Sequence, residues 1–206
     1  MITKIVLTGG PCAGKTTATE RVEETFSKLG YAVFTLPEAA TLFIHSGADF
    51  LTKDPHLYYE IHRSMMFFLL QMEDSFYEIA EATGKPALIL NDRGAMDISA
   101  YMNPEDWQRL LKSVGKTEEE LMARYKAVFH LCTSAKGAQN SYTLSNNSAR
   151  IETLEEAVCV DDNLMRVWNL HPNLHIINSE EFVKDKIDNV LKGIARELNC
   201  ELPNSY

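Results

Sequence analysis

The residues best placed to do chemistry open the chain: Gly9-Gly10-Pro11-Cys12-Ala13-Gly14-Lys15-Thr16. Glycine, any four residues, then Gly-Lys-Thr is the spacing of a loop that cradles phosphate. A Gly-rich turn lets several backbone N–H groups point at one spot, and a helix starting at its end adds positive dipole. Gly9 and Gly14 permit backbone angles that a side chain would forbid. Lys15 can reach the outer phosphates of a nucleoside triphosphate, and the Thr16 hydroxyl can ligate Mg²⁺. The whole run from Gly9 to Thr17 is therefore the candidate nucleotide-binding segment.

Four further side chains join it as catalytic candidates. Asp92 ends an apolar run, where a carboxylate can hold Mg²⁺ directly or through water; the plainer reading is a turn-forming Asp in Asn-Asp-Arg-Gly. Arg93 follows at once, so acid and base can divide metal and phosphate between them. Glu38 follows another apolar run. It is a base for an acceptor hydroxyl, a water-mediated Mg²⁺ ligand, or a first-turn carboxylate favoured by a helix dipole. Arg150 closes a polar stretch and can neutralise charge in phosphoryl transfer, as could Lys136; the alternative is a solvated surface cation. Arg63 could meet a substrate phosphate or carboxylate, but its plainer reading is one half of a structural ion pair. Lys15, Glu38, Asp92, Arg93 and Arg150 are the residues expected to carry catalysis, and Thr16 and Asp92 those expected to hold metal.

Their positions follow from the elements around them. Ile2 to Thr8 reads as a buried strand, and Thr16 to Leu29 as a helix ended by Gly30. Tyr31 to Leu36 is a second strand, followed by a short helix from Ala39 to His45. Asp54-Pro55 is a helix start, and the helix runs to about Ala82. It is apolar over much of its surface, so it packs on several sides, against the sheet or against another copy of itself as a homodimer. Ala87 to Leu90 is the third strand. Asn103-Pro104 and Thr117 to Glu120 open two helices, the latter with a capping box. Ala127 to Cys132 is the fourth strand. Thr133 to Arg150 is the least regular stretch, and the segment from about 133 to 153 has the length and polarity of a lid. Thr153 opens another helix by a capping box, Asn173 to Asn178 is the fifth strand, and Ser179 caps the last helix. Strands alternating with helices give an α/β domain with a doubly wound parallel sheet of five strands. The candidate side chains all follow strand ends, where ligands of such sheets bind.

Bulk properties set the limits. The chain of 206 residues suits one domain with a full core. A net charge of −9 disfavours nucleic acid as a partner. Cys12, Cys132, Cys159 and Cys200 are widely spaced, which suits a reducing cytoplasm rather than a disulfide framework. No apolar run is long enough to span a membrane, and the first strand begins too early for a signal peptide.

Two resemblances add to this reading. Asp92-Arg93 with Ala100-Tyr101 resembles the Asp-Arg motif of thymidylate kinases, and Pro37-Glu38 is similar to the acidic strand end of thymidylate and deoxynucleoside kinases. Gly94 stands where thymidylate kinases carry Tyr, so thymidylate itself is not the expected acceptor. Over nearly the whole chain the pattern resembles the P-loop proteins related to the ribosylnicotinamide kinase domain of NadR and to the TRPL translocation defect protein. The matching runs are Thr8 to Thr17, Pro37 to Ala40, Asp92 to Gly94, Tyr142 to Arg150 and His171 to Leu174. That resemblance implies a kinase-like fold, Mg²⁺ and a purine triphosphate, ATP or GTP. The expected activity is transfer of the γ-phosphate of ATP to a small, nucleoside- or nucleotide-like acceptor. The alternative is a nucleotide-binding regulatory switch, or slow NTPase, acting on a protein or lipid partner.

Overall fold

The structure, a computed structural model, describes residues 1–136, 153–180 and 183–203. Five strands, β1 (Ile2–Thr8), β2 (Ala32–Leu36), β3 (Ala87–Asp92), β4 (Ala127–Leu131) and β5 (Leu174–Ile177), form one sheet in the order β2-β3-β1-β4-β5. Every pairing is parallel. Parallel strands need crossovers, and helices supply them: α1 (Lys15–Lys28), α2 (Ala39–His45), α3 (Pro55–Ala82), α4 (Pro104–Val114), α5 (Glu118–Met122) and α6 (Leu154–Val167), with α7 (Val183–Leu198) following the last strand.

The central strand β1 is buried on both faces, which is why it reads as an apolar run without alternation. Ile5 and Leu7 pack with Val22 and Phe26 of α1 and Val190, Leu191 and Ile194 of α7. Val6, one residue out of phase, packs on the opposite face with Met65, Met66 and Leu69 of α3 and with Trp168.

The helix starts obey their local chemistry. Asp54 Oδ1 accepts from the His56 and Leu57 amides to open α3, and Asn103 accepts from the Asp106 amide to open α4. Thr117 with Glu120, and Thr153 with Glu156, form the two capping boxes. α3 presses its apolar face on the sheet and leaves Phe67 and Phe68 exposed. It also carries one fully buried carboxylate, Glu73, which pairs with Lys4 Nζ at 3.1 Å and Arg124 Nε at 2.8 Å and accepts from Tyr125 Oη at 2.6 Å.

Two elements are additional to the sequence reading. A 3-10 helix, Ala95–Tyr101, follows β3, and a shorter one, Ser134–Lys136, follows β4. The first is nucleated by Asp97, whose Oδ2 accepts from the Gly94 amide at 2.7 Å, and the Ala95 amide donates to Tyr125 Oη at 2.9 Å. No described helix is long and apolar enough to cross a membrane.

Candidate functional site

The loop between β1 and α1 takes its shape from three residues with positive φ: Gly9 (137°), Cys12 (54°) and Gly14 (85°). A β-carbon on Gly9 would stand 2.0 Å from the Leu131 carbonyl oxygen, so glycine alone lets the loop cross the end of β4. Gly14 occupies the N-cap of α1 without supplying a side-chain acceptor. The first-turn amides, and the exposed Thr16 and Thr17 beside them, thus face outward with the helix dipole behind them. Lys15 Nζ folds back to 3.4 Å from the Gly9 carbonyl. Desolvation and then the Arg93 charge hold its ammonium below the usual lysine range, against Asp92, Glu38 and Asp97, which pull the other way. An anion laid on the loop relieves that imbalance.

Asp92 ends β3 directly opposite Leu7 of β1, one residue short of the loop strand's end. Its Oδ1 is buried without a hydrogen-bond partner. Burial, then the neighbouring carboxylates Glu38 and Asp97, push this carboxyl above the usual aspartate range despite Lys15 and Arg93. Arg93 turns the chain away with φ 76°, its amide donating to the Leu7 carbonyl at 3.0 Å. Arg93 Nε donates to Glu38 Oε1 at 3.2 Å, while Nη1 is buried and unpartnered. Glu38 Oε2 accepts from Thr41 Oγ1 at 2.9 Å. Burial would push Glu38 up, but the Arg93 and Lys15 charges outweigh it and keep the carboxylate ionised.

The structure therefore brings Lys15, Glu38, Asp92 and Arg93 to one place at the carboxyl ends of β1, β2 and β3. Arg150 lies outside the described residues, as does most of the segment read as a lid. Lys136 pairs with Asp161 Oδ2 at 2.7 Å and Asp162 Oδ1 at 2.6 Å. Arg63 pairs with Glu60 at 3.0 Å, the structural ion pair expected of it.

Sequence reasoning missed a buried polar layer beneath these groups. Asp97 Oδ1 accepts from Thr8 Oγ1 at 2.5 Å and Trp168 Nε1 at 3.1 Å, tying β1, the 3-10 helix and the chain just past α6 together. A β-carbon on Gly94 would meet both the Trp168 ring and Val6 at 2.8 Å, so this glycine admits the indole. Asp161 Oδ1 accepts from the Gly10 amide at 2.7 Å and the Thr133 amide at 3.2 Å. Lys186, in the first turn of α7, is buried and donates to the Cys132 carbonyl; desolvation lowers its ammonium to about 8. The one sequence signal for any of these is Gly94-x-x-Asp97, a turn spacing too common to single out.

Chemically, the arrangement offers backbone amides and an ammonium for phosphate, an oxygen set for a hard cation, and a guanidinium with a free edge for an oxyanion. No curated protein matches the chain. Among solved structures, a deoxyadenosine kinase from M. mycoides, with its products dCMP and a flexible dCDP bound, is similar over 94% of this chain and 100% of its own, with 16% identity and a TM-score of 0.58. At that identity the likeness is one of fold, and it gives this chain the five-stranded parallel P-loop architecture. A sequence model of the AAA domain matches residues 4–186, from β1 into α7, and by a match of that extent the chain belongs to the AAA domain family.

Proposed function

We propose that this protein is a Mg²⁺-dependent P-loop kinase that moves the γ-phosphate of ATP to a small, nucleoside- or nucleotide-like acceptor. One observation carries the reading: Lys15, Asp92 and Arg93 converge on the mouth of the loop, and two of them keep buried polar atoms, Asp92 Oδ1 and Arg93 Nη1, without a partner. Buried polar atoms are normally satisfied, so orphans at a site of this charge fit a polar ligand. Thr16 and Asp92 are the residues that would hold Mg²⁺, an oxygen set proper to that ion. The metal, when bound, neutralises charge on the phosphates.

The chain's own residues divide the remaining work. The loop from Gly9 to Thr17 binds the phosphates, and Lys15 faces the outer ones. Arg93 stabilises charge developing on the transferred group, with Arg150 as a second source. Glu38, ionised and beside Arg93, accepts the acceptor's proton. The resemblance to the NadR and TRPL translocation defect group supports a kinase-like domain with Mg²⁺ and a purine triphosphate, and the widely spaced cysteines support a reducing cytoplasm. The exposed Phe67 and Phe68 on α3 are the surface on which we would place a second copy.

A second reading has an observation of its own. Glu38 is engaged by Arg93 and Thr41, and those charges weaken it as a base. That favours a nucleotide-binding switch, or slow NTPase, working on a protein or lipid partner with ATP or GTP. The deciding experiment measures ATP affinity and ADP release with and without a panel of nucleosides, nucleotides and related metabolites. Stimulation of ADP release by one class supports the kinase; tight nucleotide binding without stimulation by any of them supports the switch.

A further inference from the structure

Asp161 is a fully buried carboxylate in the middle of α6. An ionised carboxylate in the interior costs several kcal/mol unless its charge is compensated, and here Oδ1 is held by hydrogen bonds and Oδ2 by an ion pair. Oδ1 accepts from the Gly10 amide (2.7 Å) and the Thr133 amide (3.2 Å) and faces His130 Nε2 at 3.2 Å. Oδ2 faces Lys136 Nζ at 2.7 Å. Burial opposes ionisation, but His130, Lys136 and the Gly10 amide reverse it and hold Asp161 far below the usual aspartate range.

The donor atoms of His130, Cys132 and Asp161 lie within 4.8 Å of one another, a spacing that would suit a metal ion. The occupants already present weigh against one. Asp161 Oδ1 is already engaged by two amides, and the ammonium groups of Lys136 and Lys186 stand beside the cluster, where they repel a cation.

The same contacts explain the loop. Three successive residues of its entry half are fixed by groups on β4, on α6 and just past β4. Gly9 lies against the Leu131 carbonyl, the Gly10 amide is held by Asp161, and the Pro11 carbonyl accepts from Thr133 Oγ1 at 2.5 Å. A β-carbon on Gly10 would stand 2.8 Å from the Asp161 β-carbon, so glycine there admits the helix. The entry half is thus anchored to β4 and α6, and the anion is directed to the second half, from Ala13 to Thr16.

We propose that Asp161 is a positioning residue for the phosphate loop, its buried carboxylate fixing Gly10 and Thr133 so that the binding half of the loop is preorganised before nucleotide arrives. This rests on the nucleotide-binding part of the function proposed above. A ligand meeting a preorganised loop spends less of its binding energy on ordering it.

The test compares Asp161→Asn with Asp162→Asn, which removes an exposed partner of Lys136 on the same helix. Two quantities are read: MgATP affinity by titration, and the Gly10 amide by NMR shift and hydrogen exchange in nucleotide-free protein. In wild type the Gly10 amide should be protected and shifted downfield. Asp161→Asn should accelerate its exchange by about 10-fold or more and weaken MgATP by about 10- to 100-fold, the range for a lost hydrogen bond to a charged group. Asp162→Asn should leave affinity within about threefold. Should Asp161→Asn not fold, Gly10→Ala separates loop and carboxylate by a clash at the same contact and should show the same loss of affinity. An unprotected Gly10 amide in wild type overturns the proposal, as does wild-type affinity in folded Asp161→Asn or, failing that, in Gly10→Ala. If wild type binds no nucleotide, the proposed function falls, while the exchange of Gly10 still decides the role of Asp161.

Discussion

Glu38 Oε1 accepts a hydrogen bond from Arg93 Nε at 3.2 Å, and the two residues stand at matching places past their strands. Leu36 of β2 pairs with Asn91 of β3, and each of the two side chains follows two residues later. Register alone therefore delivers a carboxylate and a guanidinium to the same side of the loop. If Glu38 is the base, Glu38→Gln should leave ATP affinity nearly intact and cut acceptor-dependent ADP release by roughly 10²- to 10⁴-fold. Both are measured on one preparation. Stimulated release that survives the change removes Glu38 from the chemistry.

Lys15→Ala should weaken ATP binding by about 10- to 100-fold, since no other loop residue presents a charged donor to the outer phosphates. Calorimetric titration checks this, with circular dichroism to show that the protein is folded. Affinity close to wild type would place the triphosphate elsewhere.

Asp92→Asn should cost far more affinity in the presence of Mg²⁺ than in its absence if its buried, unpartnered Oδ1 is the oxygen that meets the metal, as proposed. Paired titrations with Mg²⁺ and with chelator read the difference. Equal losses in both would remove Asp92 from the metal.

The parts of the site that sequence made legible are those written in consecutive residues. The phosphate loop, the capping boxes and the acid-base pair after β3 are local patterns, and the sheet that carries them follows from alternating apolar runs and helix caps. What escaped is what only tertiary structure assembles. Asp97 lies 71 residues from its partner Trp168, and Asp161 lies 151 from Gly10. Neither acid has neighbours that mark it, and Glu73 is hidden in a helix that reads as apolar. The 3-10 helix after β3 depends on Tyr125 and Asp97, so no periodicity announces it.

Trp168→Phe should lower stability by about 1 to 3 kcal/mol. It removes the indole donor to Asp97 and opens a gap beside Gly94, at a fully buried position. Denaturant unfolding measures it, and a loss under about 0.5 kcal/mol would show that the layer tolerates an unpaired Asp97.

His130 should give the fold a pH dependence above the ordinary imidazole value of about 6.5. Burial alone would lower this imidazole, but Asp161 from α6 and Cys132, one residue past β4, raise it. A histidine raised on folding adds stability that is full below its unfolded value of about 6.5 and is lost as pH climbs through the raised value. Unfolding free energies from pH 6 upward should fall in wild type and fall less in His130→Asn. Parallel curves for the two proteins would mean His130 stays neutral.

The left-handed φ of Arg93 has a consequence for how this chain can change. A side chain in that conformation costs roughly 1 to 2 kcal/mol, and glycine would be free of it. Selection for a sturdier fold and selection for the guanidinium therefore pull this codon in opposite directions. An arginine kept there against its own backbone marks a position where a thermostabilised variant would lose what the residue is for.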